Sequence, residues 1–210
     1  IVFNVPPRFR TLLDNLNLKC ESGANPTDVV LQFLGRSVPR TGWVTNNYSP
    51  MGAFGRTYFT IPNARRIDAI RLVIRHWASM GLISTNERWY LIACLLDAAD
   101  RVANTAGTYY ASLRGFDRKA RQPLVMRRPE LVSNGYRNSA SVRQASSTVR
   151  HQSADVVYLD PPYNDRDYGV YYHLPELIAR DATPRVNGKS GRPSFRPEKS
   201  PFCSQKTAEA

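Results

Sequence analysis

The clearest periodicity in the chain begins at Thr60, where Ala64, Ile67, Ile70, Arg71, Ile74 and Trp77 recur at intervals of three and four residues. That spacing puts side chains on one face of a helix. Pro62 near the start and Gly81 just past the end suit a helix's first turn and its exit, so the pattern predicts an amphipathic helix between them. Asn86 is the predicted cap of a second helix, in which Trp89 to Leu96 is apolar on nearly every side before Asp97, Asp100 and Arg101 restore polarity. The second helix is expected to be central. The short turn between the two predicts an antiparallel pair packed as one unit.

Elsewhere the pattern is thinner. Pro6, Pro7, Pro26, Pro39 and Pro50 punctuate the first fifty residues; there the reading predicts one helix from Asp28 to Leu34, capped by Thr27, and irregular chain after it. Residues 133 to 153 are rich in Ser, Asn, Gln and Arg, with Val142 and Val149 as sparse anchors. A connector with one short strand or helix is expected. Ala154 to Leu159 then forms a short apolar run with β-branched residues, of the kind buried in a parallel sheet, and it ends abruptly at Asp160-Pro161-Pro162. Ligands gather beyond the carboxyl ends of such strands. From Asp181 to Ala210 the Pro, Gly, Lys and Arg content predicts a basic loop leading into a helix near Ser204.

A chain of 210 residues with 42% hydrophobic and 22% charged residues can fold around one good core. No apolar run approaches the roughly 20 residues of a membrane span. The start, Ile1-Val2-Phe3-Asn4, has neither an initiator Met nor the order of a signal peptide, and is expected to be the inside of a longer chain. Cys20, Cys94 and Cys203 are widely separated and lack the paired spacing of a zinc site; a reducing cytoplasm and no structural metal are expected. The net charge is +12, the footprint of a polyanion binder. After Gly107, Tyr109, Tyr110, Arg114, Phe116, Arg118, Lys119, Arg121, Arg127 and Arg128 put aromatics beside cations. Two readings stay open for this stretch: a base-stacking, phosphate-tracking surface, or tyrosines at a core edge beside solvated arginines.

Asp160-Pro161-Pro162-Tyr163-Asn164 carries the chemistry. Consecutive prolines fix two φ angles and remove two amide donors, which leaves a stiff loop with free carbonyls. An exocyclic amino group on a flipped base needs two acceptors for its hydrogens and an aromatic face to replace lost stacking. Asp160, a proline carbonyl and Tyr163 are the candidates for these three tasks.

The run Tyr158-Leu159-Asp160-Pro161-Pro162-Tyr163-Asn164-Asp165-Arg166-Asp167-Tyr168, followed by Tyr172-His173-Leu174-Pro175-Glu176, resembles the catalytic motif of DNA adenine-specific methyltransferases that use S-adenosyl-L-methionine. Upstream, Arg56-Thr57-Tyr58-Phe59-Thr60, Asn63-Ala64, Ile67-Asp68-Ala69-Ile70, Ala103-Asn104-Thr105 and Gly107-Thr108-Tyr109 resemble stretches of the same family. The resemblance implies an α/β fold: a partial Rossmann-like methyltransferase domain with a helical target-recognition insertion. It divides the chain into an upstream remnant at 1–47, a mainly helical DNA-facing region at 48–135, the catalytic strand and loop at 136–180, and a basic loop from 181. It also implies that Asp160 and the Pro161 carbonyl accept hydrogen bonds from the adenine amino group, that Pro162 holds the loop, and that Tyr163 stacks on the base. Asp160 and Gln144 are the candidates for cofactor contacts. Asn164, Arg166, Tyr168, His173, Arg114, Arg118 and Lys119 are those for contacts to DNA.

His173 is assigned a structural or DNA-contacting role, because adenine N6 needs alignment and polarisation more than deprotonation. His76 and His151 have no nucleophile or ligand partner in the sequence. The resemblance implies double-stranded DNA as partner and allows a cognate restriction endonuclease. Two departures stand out. No acidic, glycine-rich loop follows a hydrophobic strand, and Gln144-Ala145 stands where the family tends to place an acid, so these residues alone are expected to bind the cofactor weakly. An RNA base methyltransferase and a catalytically silent DNA-binding remnant are the alternatives.

Overall fold

The computed structural model describes residues 7–131, 135–136, 138–140, 155–158, 160 and 168–194. Along these the order is α1 (Arg10–Asn15), α2 (Pro26–Gly35), α3 (Trp43–Tyr48), α4 (Ile61–Ser79), α5 (Thr85–Arg101), α6 (Tyr168–Tyr171) and α7 (His173–Ala179). A hairpin of β1 (Val186–Asn187) and β2 (Arg192–Pro193) follows. Its strands pair antiparallel, Val186 opposite Pro193 and Asn187 opposite Arg192.

The periodic stripe on α4 is the face it buries: Ala64, Ile67, Ile70, Ile74 and Trp77 are all inside, with Thr60 accepting from the Asn63 amide at the start. α5 packs on α4 and on α7, while α2 and α3 lie against other parts of α4. Phe9, Leu34, Tyr48, Tyr58, Leu91, Leu95, Leu174, Ile178 and Val186 join one core cluster with them. Each large aliphatic side chain removed from water contributes about 1.5–3 kcal/mol. Among the described residues no helix is long and apolar enough to cross a membrane. Cys20 and Cys94 are both free, and burial, followed by the charge of Asp97, pushes the Cys94 thiol up to about 12.

Four expectations are corrected. The cap of α2 is Asn25, whose side chain accepts from the Thr27 amide at 2.9 Å; Pro26 has the φ of a first helical residue, so the cap falls just before it. The cap of α5 is Ser84 rather than Asn86: its hydroxyl accepts from the Glu87 amide and the Glu87 carboxylate accepts from the Ser84 amide. This reciprocal pair satisfies two donors at once. Where irregular chain was expected, α3 forms, because Asp68 accepts hydrogen bonds from the amides of Val44 and Thr45 at 2.9 and 2.8 Å and from the Thr45 hydroxyl at 2.7 Å. Finally, Asp155 to Tyr158 forms no strand. Val156 is 84% and Tyr158 86% exposed, and among the described residues no strand lies beside the segment to take its backbone bonds. Most of the connector expected over residues 133–153, with its short strand or helix, and the helix expected near Ser204 lie outside the described residues.

Candidate active site and its surroundings

Asp160 is exposed, like residues 155–158 before it. Pro161, Pro162, Tyr163, Asn164, Arg166 and Gln144 lie outside the described residues. The described chain resumes at Tyr168 in α6, one turn long, and α7 follows directly. Pro175 falls in the first turn of α7, where its missing amide hydrogen is not needed. Leu174, Leu177 and Ile178 supply the buried face, and Glu176 pairs with Arg180 one turn on at the surface. Tyr168 and Tyr172 are half exposed, with rings edge to face at 5.9 Å. They border a cavity of about 430 Å³ whose lining includes His173, Leu177, Arg180 and Pro193.

His173 is 3% exposed. Its Nδ1 lies 2.9 Å from the Val170 carbonyl, and an acceptor there requires the proton on Nδ1. Nε2 is buried without a hydrogen-bond partner. Burial lowers the ring's proton affinity; the backbone of Val170 and of Ser190 opposes this, and the charges of Arg192 and Arg56 add to it. The ring offers no surface to a macromolecule.

The stretch after Gly107 divides between its two readings. Tyr109 is 4% exposed and its hydroxyl donates to Asp100 at 2.9 Å, so this ring belongs to the core. Tyr110 is 47% exposed and stacks on Tyr171 at 5.2 Å, with the Arg192 guanidinium 4.6 Å from its centroid. The Tyr109 amide donates to the Tyr171 carbonyl at 2.7 Å. These contacts tie α6, a few residues beyond the Asp160 loop, to the aromatic and basic segment. Arg114, Arg118 and Lys119 are exposed, and among the described residues none of them pairs with a carboxylate.

One buried arginine has no role in the sequence reading. Arg56 is 4% exposed and, among the described residues, lacks a carboxylate partner. Its guanidinium donates to the carbonyls of Asn47 and Gly188 at 2.6 Å each and of Lys189 at 3.2 Å, and it lies 4.4 Å from the Phe54 ring centroid. The Tyr48 hydroxyl donates to the Gly191 carbonyl at 2.5 Å, and the Tyr58 hydroxyl is shared between the carbonyls of Tyr109 and Ser190. Burial raises both phenols, Tyr58 to about 12, so they remain donors across the physiological range. In sequence, Arg56 stands among Phe54, Tyr58 and Phe59, in the stretch Arg56-Thr57-Tyr58-Phe59-Thr60 that resembles the family.

Comparison with known proteins matches residues 38–208 to the model of the D12 class N6 adenine-specific DNA methyltransferases. The chain is 39% identical over 164 residues to the type II methyltransferase M.FokI of Planomicrobium okeanokoites, covering 78% of this chain and 25% of that protein. It is 36% identical over 180 residues to the type II methyltransferase M.NlaIII of Neisseria lactamica, covering 84% and 52%. To the modification methylase StsI of Streptococcus sanguinis it is 32% identical over 185 residues, covering 88% and 27%. The chain thus spans between a quarter and about half of the length of these relatives. No solved structure matches it. With the family match running from before α3 past the β1–β2 hairpin and taking in Asp160 to Tyr163, the chain belongs to the D12 class N6 adenine-specific DNA methyltransferase family.

Proposed function

We propose that this chain is the part of a DNA adenine N6-methyltransferase that receives the flipped target base, with S-adenosyl-L-methionine as methyl donor and double-stranded DNA as substrate. The observation that carries the reading is Asp160-Pro161-Pro162-Tyr163 inside the family match, close before an α6 that is fastened to the aromatic and basic segment at Tyr109 and Tyr110. In this reading the Asp160 carboxylate and the Pro161 carbonyl accept the two N6 hydrogens, which fixes the amino group and raises electron density on its nitrogen. Pro162 holds the loop stiff, and Tyr163 replaces the stacking lost on flipping. Tyr168, Asn164 and Arg166 hold the loop or a neighbouring phosphate, Arg114, Arg118 and Lys119 track the backbone, and His173 is a positioning residue. The domain is of the α/β, Rossmann-like type.

The donor supplies the methyl group. The relatives are named as type II methyltransferases and modification methylases, which supports a place in restriction-modification beside a cognate endonuclease. The test is Asp160→Ala in the natural full-length polypeptide, scored by labelled methyl incorporation into duplex adenine. Turnover is expected to fall on the order of a hundredfold or more with DNA affinity nearly unchanged. Near-normal turnover, or methylation of RNA in place of duplex DNA, overturns the assignment.

A further inference from the structure

The turn between β1 and β2, Gly188-Lys189-Ser190-Gly191, has every one of its carbonyls claimed from beneath. Arg56 takes those of Gly188 and Lys189, Tyr58 takes that of Ser190, and Tyr48 takes that of Gly191. Gly191, at φ +68°, sits so close that a Cβ there would lie 2.8 Å from the Tyr48 ring and 3.0 Å from Arg56 Nε. In a planar trans peptide the N–H points opposite to the C=O before it. The amides of Lys189 and Ser190 therefore face away from the core, and neither has an acceptor among the described residues. The Lys189 side chain is exposed on the same turn.

Charge points the same way. Arg56 and Arg192 stand beside this turn with Lys189, and among the described residues no carboxylate lies within ion-pair reach of any of the three. The Nε of Arg192 is buried with no partner. Successive outward amides on a turn with glycines at both ends form a concavity for an anion, and the three cations around it make a doubly oxygenated monoanion the complementary ligand.

We propose that the Gly188–Gly191 turn binds a phosphate group, gripping one oxygen with the Lys189 and Ser190 amides and another with the Lys189 ammonium, and that in the working protein this phosphate is a phosphodiester of the bound nucleic acid. The source of the phosphate rests on the DNA-substrate reading; the turn's chemistry does not. Arg56, Tyr48 and Tyr58 are positioning residues, since they act through the turn's carbonyls.

The test is nitrogen-15 NMR of the 210-residue chain, titrated separately with a short DNA duplex and with inorganic phosphate, alongside anisotropy measurements on Lys189→Ala and, as a control, the exposed Lys19→Ala. Downfield, saturable movement of the Lys189 and Ser190 amide protons with duplex is expected. Lys189→Ala is expected to weaken duplex binding several-fold at every sequence and to lower the slope of log K against log salt by about one, with Lys19→Ala unchanged. Saturable shifts with inorganic phosphate but none with duplex keep the turn and overturn the nucleic-acid source. Unmoved amides with both ligands overturn the proposal. If duplex binds while those amides and Lys189→Ala remain silent, the turn fails and the DNA reading stands.

Discussion

A histidine shortly after Asp160 in sequence invites a proton-transfer role, yet the His173 ring is almost wholly buried. Its Nδ1 is bound to the Val170 carbonyl, its Nε2 is buried without a partner, and its ring lies 6.1 Å from that of Tyr48. Burial, with Arg192 and Arg56 nearby, lowers its proton affinity below the usual imidazole value. The consequence is a stability effect with a definite sign. An unfolded histidine titrates near about 6.5, whereas the native ring stays neutral below that. As pH falls through that value the unfolded chain takes up a proton that the native chain refuses, so stability drops until the lower native value is reached. The stability lost between pH 7.5 and 5.5, read from urea denaturation, is expected to be greater for the wild-type chain than for His173→Phe. The excess is at most about 1.4 kcal/mol, because pH 5.5 lies about one pH unit below the point where the unfolded ring titrates. Titrating carboxylates contribute to both chains and cancel in the comparison. Equal pH dependence in the two would mean that the ring is protonated as easily inside as outside.

At the scale of elements, Asp68 is the side chain on which a whole helix depends. It stands on the buried face of α4 and accepts the first amides of α3 with the Thr45 hydroxyl, while Arg71 pairs with it at 3.8 Å and with Asp181 at 3.0 Å. Asp68→Asn puts a donating NH2 where only acceptors fit and removes the charge facing Arg71. A loss of about 2–4 kcal/mol is expected, read from urea denaturation, with the helical circular dichroism of α4 and α5 retained at low urea. A change below about 0.5 kcal/mol would show that α3 stands without its anchor. The contrast with α4 and α5 explains what the sequence reveals. Those two long helices carry their own periodicity and caps, so they are legible locally, and the misplaced start of α5 came from two residues, Ser84 and Asn86, that both suit a cap until Glu87 decides between them. The β1–β2 hairpin has strands of two residues each, too short for any pattern. It exists because Arg56, Tyr48 and Tyr58, more than a hundred residues upstream, hold its turn. The Asp160 to Tyr163 motif is legible because it is contiguous; the Arg56 cage is not, because it is assembled from distant segments.

Across the whole molecule, 29 Lys and Arg stand against 17 Asp and Glu. The described ion pairs engage Arg71, Arg75, Arg101, Arg128 and Arg180 with acids, which leaves Arg114, Arg118, Lys119 and Lys189 exposed without such partners among the described residues. Unpaired cations on a rigid core gain most from a ligand that brings its own negative charge and releases condensed counterions on binding. Each phosphate neutralised contributes about −0.9 to the slope of log K against log salt. The 210-residue chain is therefore expected to bind duplex DNA with a slope of about −4 or steeper, losing two to three orders of magnitude in affinity between about 50 and 200 mM salt. Replacing Arg114, Arg118 and Lys119 together by Ala is expected to make that slope shallower by about two to three, without unfolding the chain, because all three side chains lie in water. A titration in which the triple variant keeps the wild-type slope would move the phosphate-tracking surface off the segment after Gly107. A slope near zero for the wild-type chain would mean that the excess charge serves some purpose other than holding DNA.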